Sequence, residues 1–281
     1  MDQKARSQGR FSFGSTLVLA LVVTLSLVGC SAANKPDASK VGAVELISSS
    51  VDAASQVETM RFAGEFSIAM SGETSKMALA GGVEFKNNST SLNTSLGDLG
   101  IPGLESAMVE IRLVGQAVYL RYGDGSSDAV GGSALLGGKE WMSIDLDNLG
   151  GASIAGANPA NLLATLRGIG DVKKVGTENI RGSQATHYTG RIDMSKAIGA
   201  APSNEKKDMR SALENLSKEF PVDVWVDAQG RTVKLSTVGG GSENKFSLSL
   251  EFFDFGADLN ISAPPASDVG SLGGLGSNAD Q

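Results

Sequence analysis

The chain has one cysteine and one histidine in 281 residues. A zinc site with several Cys or His ligands cannot be built from that supply, and no intramolecular disulfide can form. A Ser-His-Asp triad has a single candidate base, His187. That residue sits in the alternating stretch "QATHYTGRI", and the chain has no G-x-S-x-G elbow. It reads as a histidine packed or solvated on a sheet. There is no P-loop or dinucleotide fingerprint; the glycine pairs and triplet at 131–132, 137–138 and 239–241 lack the strand-loop-helix setting that phosphate cradles need. "DLDNLG" from position 145 resembles the start of a calcium loop, but its twelfth position is Gly156 rather than Glu. "GDGSSD" from position 123 reads as a turn. Positive charge is scarce too. The formal net charge is −7 and no Lys/Arg block follows the N-terminal segment, which argues against nucleic-acid binding. Carboxylates are scattered, and a glycosidase-like pair would be assembled in space rather than sequence. With no supporting motif the chain reads as a non-enzyme without cofactor or metal. A hydrolase using His187 is the third-ranked reading.

What is present begins at the N-terminus. Lys4, Arg6 and Arg10 precede a stretch, residues 11–34, with no charged residue, whose most apolar part is "STLVLALVVTLSLVG". A basic start, a short apolar core and a small residue before the cut are signal-peptide features. The stretch ends Leu27-Val28-Gly29-Cys30, which resembles a bacterial lipobox. That pattern implies diacylglyceryl transfer to the Cys30 thiol and cleavage after Gly29. An uncleaved membrane anchor is the first alternative, since about 20 apolar residues suffice to span a bilayer; a buried helix is the second. Ser12, Gly14, Ser15, Thr16 and Ser26 dilute the run, and the Gly-Cys ending favours cleavage.

The remaining chain divides by composition. Residues 1–29 are the expected signal peptide and 30–40 a small, polar, lipid-anchored tether. Residues 41–262 form one domain, and 263–281, rich in Gly, Ser, Ala and Pro, a flexible tail. The domain opens on a helical pattern, Val44, Ile47, Val51 and Ala54, with Asp37 or Ser39 as cap. The period then becomes two. In "MRFAGEFSIAM", Met60, Phe62, Phe66, Ile68 and Met70 share one side. "VEIRL", "QAVYLRY" and "EWMSIDL" continue as strands. "NPANLLATLRGIG" predicts a helix with Asn158 as cap, Pro159 at its first position and Gly168 closing it. After two more strands, "DVKKVGTENI" and "SQATHYTGRID", a second helix is predicted over 203–220, with Met209, Leu213 and Leu216 on its apolar side and Pro221 stopping it. The last third reads as strands. Short links between consecutive strands point to a large antiparallel α+β sheet covered by a few helices.

The C-terminal half also carries a resemblance. "KEWMSIDL", the 182–188 segment, Val224-Trp225-Val226-Asp227, and Phe253-Asp254-Phe255-Gly256 leading to Pro264-Pro265 occur in an order and spacing that resemble the actinobacterial LppX/LprA/LprF/LprG lipoprotein family. More distantly they are similar to the LolA and LolB lipoprotein carriers. The resemblance implies a curved antiparallel half-barrel with helices on its concave face and an apolar cavity between the two. It further implies binding of acylated lipids or glycolipids, carried or shielded in the cell envelope.

Candidate cavity-lining residues are Phe62, Phe66, Ile68, Met70, Met77, Leu79, Ile111, Leu113 and Leu120 from the sheet, and Leu162, Leu163, Leu166, Met209, Leu213 and Leu216 from the helices. Aromatic residues make up only 5% of the chain, which leaves less bulk to fill an interior. Glycine-rich stretches 97–107 and 123–138 are candidate gates, and Trp225 is assigned to packing. The expected protein is an exported lipoprotein, held on the outer face of the cell membrane through Cys30, with a lipid ligand and an envelope transporter as candidate partner. The rival reading is a structural or interaction lipoprotein with a filled core, acting on a cell-envelope partner.

Overall fold

The structure is a computed structural model. It describes residues 38–70, 73–95, 97, 107–115, 117–123, 138–145, 158–201, 206, 218–240 and 244–271. Cys30, the signal segment, the interiors of both candidate gates, Met209, Leu213 and Leu216 lie outside these residues, as does the side chain of Met70. The elements run α1 (Ala38–Ser55), β1 (Thr59–Met70), β2 (Glu73–Glu84), β3 (Ser89–Ser95), β4 (Met108–Val114), β5 (Ala117–Tyr122), β6 (Trp141–Asp145), α2 (Pro159–Thr165), β7 (Ile169–Ile180), β8 (Ser183–Asp193), α3 (Met194–Ala200), β9 (Glu219–Asp227), β10 (Thr232–Gly240), β11 (Asn244–Phe253) and β12 (Val269–Ser271).

The described strands form one sheet in the order β12-β6-β5-β4-β3-β2-β1-β11-β10-β9-β8-β7. It is open, with β7 and β12 at its edges, and every pair is antiparallel except β12 with β6. This is the expected α+β half-barrel. The chain folds back through tight connections. Arg181 and Gly182, both at positive φ, turn β7 into β8, as a two-residue hairpin requires. Between β9 and β10 the Asp227 carboxylate accepts the backbone N–H of Gln229 and Arg231, each at 2.9 Å, and Gly230 takes φ 77°.

Helices α1, α2 and α3 share one face of the sheet. Ile47, Val51 and Ala54 of α1 are buried there, as their spacing predicts. They meet Met60, Phe62, Val83, Leu235, Leu250 and Phe252 in a single core. The Ser50 hydroxyl, also buried, bonds the Thr232 hydroxyl at 2.6 Å, so the one polar group on that stripe is satisfied. In α2 the predicted cap is found: Asn158 Oδ1 accepts from Ala160 N at 3.0 Å, and Pro159 opens the helix. Gly168 ends a short 3₁₀ turn, but for a different reason from the one expected. A Cβ there would run into the Asp193 carbonyl and into the Ala197 N at 2.5 Å, so glycine permits close approach to α3.

Two local expectations are corrected. The helix predicted to continue to Phe220 and end at Pro221 does not reach either residue: β9 begins at Glu219, and Phe220 is buried in the core. Pro221 sits one position beyond the last pair with β10, Val222 with Thr237, and its carbonyl accepts the Thr237 hydroxyl at 2.8 Å. Ser39 lies inside α1 rather than capping it.

Residues 263–271, assigned by composition to a mobile tail, are instead built onto the sheet. Pro264 is buried, 266–268 form a 3₁₀ turn, and β12 pairs in parallel with β6. Arg112 donates to the Ser262 carbonyl at 3.2 Å, Lys139 to that of Ser267 at 2.5 Å, and Ile261 N to Glu84 at 2.8 Å. The strap crosses the outer face beside Trp141, which lies under the guanidinium groups of Arg112 and Arg121. Glu110 ties these two arginines together. Burial pushes its carboxyl pKa up, but hydrogen bonds and charge from Arg121 and Arg112 outweigh this and hold it below 4.5. A lowered folded pKa contributes stability that is present above the unfolded value and lost as pH falls through the folded one. Glu110→Gln should therefore cost about 1–2 kcal/mol at neutral pH. The gap to wild type should shrink as acid protonates the lowered Glu110 carboxyl, as read from thermal unfolding at neutral and at acid pH.

Candidate functional site

Strand register brings the sequence-predicted lining residues together. Leu120, Ile111, Leu92, Gly81, Phe62 and Phe252 form one row across β5, β4, β3, β2, β1 and β11. The next row includes Val109, Thr94, Leu79, Gly64, Leu250 and Leu235. A third holds Met77, Phe66 and Leu248, and a fourth Ile68 and Phe246. Leu113 faces the same way, two residues along from Ile111. All the predicted strand residues with described side chains thus share the inner, helix-bearing face.

The face has two zones. Under the helices it is closed: Phe62, Leu235, Leu250 and Phe252 are at most 2% exposed, and α2 contributes Leu163 and the following turn Leu166, at 1% and 0%. Toward β6, and toward the far ends of β1, β2 and β11, the same apolar surface is only half covered. Phe66, Ile68, Met77, Leu79, Leu92, Ile111, Leu120, Met142, Phe246 and Leu248 all keep partial exposure. Phe62, Leu113, Leu163 and Leu166 are therefore core residues, and Phe66, Ile68, Leu79, Ile111 and Leu120 are the ones still accessible. Leu92, Met142, Phe246 and Leu248 were not singled out from the sequence. The alternation in "FSLSLEFF" marks the last two, but its side could be set only by pairing with β1.

Glycine shapes the face. A Cβ on Gly64 would overlap the Ser249 carbonyl, one on Gly81 the Ser91 carbonyl, and one on Gly239 the ring of Phe246. At Gly64 and Gly81 the adjacent strands approach too closely for any side chain, and at Gly239 the Phe246 ring takes the space. One polar atom interrupts the surface. Thr94 Oγ1 is buried with no hydrogen-bond partner among the described residues, whereas Thr90 reaches Asn158 at 3.1 Å. An unpaired buried hydroxyl costs stability. Thr94→Val should raise it by about 1 kcal/mol, measured by chemical denaturation.

His187 is on the opposite, outer face. It stacks on Trp225 with ring centroids 4.2 Å apart and a 9° tilt. Its Nε2 lies 2.8 Å from Asp223 and its Nδ1 3.0 Å from Glu178. Trp225 belongs to a small outer cluster with Ile180, Ala185 and Val233, so its packing assignment agrees with its position. Among the described residues, no group of three or more His, Cys, Asp or Glu could hold a metal ion, and no helix is long and apolar enough to cross a membrane.

These features define an open antiparallel half-barrel whose inner surface is apolar and partly uncovered beside a helical lid. No family model matches the chain. It is 30% identical over 175 residues to a Streptomyces griseus protein of 31.2 kDa encoded between rplA and rplJ, covering 57% of this chain and 55% of that one. It is 27% identical over 173 residues to a Streptomyces coelicolor protein described as a lipoprotein candidate, covering 59% and 52%. The chain thus spans about half the length of the curated relatives it matches. Among solved structures it is similar to the Mycobacterium tuberculosis lipoprotein LppX, at 16% identity and TM-score 0.49, over 79% of this chain and 99% of that one. It is also similar to LprF of Mycobacterium bovis, at 12% identity and TM-score 0.46, over 80% and 97%. Both belong to the lipoprotein group that the sequence resembles.

Proposed function

We propose that the protein is an exported lipoprotein, anchored to the outer face of the cell membrane through an acylated Cys30. Its domain binds an acylated lipid or glycolipid on the inner face of the half-barrel and carries or shields it in the envelope. The observation that supports this reading is the half-covered strip formed by Phe66, Ile68, Met77, Leu79, Ile111 and Leu120. A filled core would seal such residues. Left partly wet, they offer a ready surface for acyl chains, at about 0.8 kcal/mol per CH₂ removed from water. Aliphatic and thioether side chains suit this because they adapt to chains of varied shape. The work is solvent exclusion, with no covalent step. The description of the Streptomyces coelicolor relative as a lipoprotein candidate agrees with the Gly29-Cys30 ending. Any carrier role needs an acceptor membrane or protein, and an envelope transporter is the candidate.

Native mass spectrometry of the full chain purified from its own host tests the reading. The expected spectrum carries a lipid adduct in addition to the mass on Cys30. Cys30→Ala should release the protein from the membrane fraction and leave the adduct in place, because two acyl chains give the anchoring while the ligand sits in the domain. Repeated absence of any adduct would overturn the proposal.

A further inference from the structure

Strand β3 places Thr90, Leu92 and Thr94 on the inner face. The cross-strand neighbours of both threonines are apolar: Val83 and Leu113 for Thr90, Leu79 and Val109 for Thr94. Valine has nearly the same shape as threonine and suits a strand as well, so the sheet itself calls for neither hydroxyl. At Thr90 the hydroxyl has a local task. It donates to Asn158 Oδ1 at 3.1 Å and ties β3 to the start of α2. Thr94 stands four residues further along β3, with only 5% of its surface exposed. Its Oγ1 is buried and has no hydrogen-bond partner among the described residues.

The surroundings of Thr94 belong to the half-covered strip. Leu79 is directly opposite on β2, and Leu92 is two residues back on β3. Met77 and Ile111 are its diagonal neighbours on β2 and β4. All four keep partial exposure, so a lipid lying across them passes over Thr94. A buried hydroxyl without a partner lowers stability and calls for a reason. The fold already bears the cost of removing this one from water. A bond from it to a ligand is therefore worth more than a bond between two groups that must first be desolvated.

We propose that Thr94 is a specificity-determining residue of the lipid surface, its hydroxyl donating to an ester carbonyl oxygen of the ligand. The inference rests on the lipid-binding reading and adds how the chains of the ligand are linked. The polar atoms that an acylated lipid carries next to its chains include ester carbonyl oxygens, which accept a hydrogen bond and cannot donate one. A threonine hydroxyl supplies the donor, and rotation about χ1 re-aims it without moving β3. An ether-linked chain has no carbonyl to offer at that point.

The test uses the full-length chain in detergent and native mass spectrometry, with a diacylglycerol and the dialkyl-ether glycerol of identical chain length as probes. Wild type should bind the diester about tenfold more tightly, about 1.4 kcal/mol. Thr94→Val should bring that ratio to about one through loss of diester affinity, in a domain whose urea midpoint is no lower than that of wild type. Thr94→Ser, which keeps the donor, should restore the preference. Equal binding of the two probes by wild type, or a preference that survives in Thr94→Val, would overturn the ester contact while the apolar-face reading stands. An equal loss of both probes in Thr94→Val would do the same, since it marks a packing role. Failure of wild type to bind either probe would overturn both.

Discussion

Gly64→Val and Gly81→Val should each destabilise the domain by about 3 kcal/mol or more, a large part of the roughly 5–15 kcal/mol that holds a typical domain folded. In both cases the first added carbon overlaps a cross-strand carbonyl: Ser249 for Gly64 and Ser91 for Gly81. At Gly81 it also stands 2.8 Å from the ring of Phe62, one of the largest fully buried side chains. Neither obstacle is the free end of a flexible chain, so the strands themselves must part. Gly42→Ala is the control. Its Cβ meets nothing within 4 Å, and alanine is favoured over glycine in a helix by up to about 1 kcal/mol. Urea midpoints of the three variants check this. A Gly81→Val midpoint within error of wild type would mean that the sheet is not bent tightly at that point.

Phe66→Asp and Leu120→Asp should abolish lipid uptake, with losses of about 100-fold or more, while the domain stays folded. A carboxylate among acyl chains must be desolvated without a partner, which costs several kcal/mol, and about 2.7 kcal/mol already corresponds to 100-fold. Both side chains retain partial exposure in the free protein, so the charge can stay hydrated until lipid arrives. Val238→Asp serves as the matched control. Val238 is 54% exposed and faces outward on β10, opposite Ser247 of β11. Lipid adducts counted by native mass spectrometry, with circular dichroism for the fold, separate the outcomes. Uptake lost equally in all three variants, or retained in Phe66→Asp and Leu120→Asp, would remove the inner face from consideration.

Several elements were legible because their signals are local. Alternation in "MRFAGEFSIAM" and the spacing of Ile47, Val51 and Ala54 each follow from the period of one element, and the Asn158-Pro159 start of α2 from cap chemistry. Other elements depend on partners distant in sequence. The short helix α3 is started by Asp193, whose carboxylate accepts the N–H of Ser195 and Lys196, and is kept by burial of Met194 and Ala197 against the α2 turn. Seven residues containing Gly199 give no periodic signal to match. Pro221 reads as a helix stop when only its own ring is considered. It is tolerated in a strand because the pairing with β10 ends one residue later.

The sequence by itself determined which side chains of each strand are apolar on a common side, and so that one face of the sheet would be hydrophobic. It also set a lone cysteine after an apolar run and a single histidine, too few for a zinc site with several Cys or His ligands. Tertiary structure decided how that face is used. Phe62 and Phe66 are two steps apart in one alternating stretch, yet one is sealed and the other half exposed. The difference lies in how far the helical cover reaches along β1, which no property of either residue encodes. The same holds at the β7 edge, where "VKKV" has no alternation to read. There the pairing with β8 shifts twice, between Gly170 and Lys173 and between Lys174 and Gly176, because register is set by pairing with another strand and not by the strand's own composition.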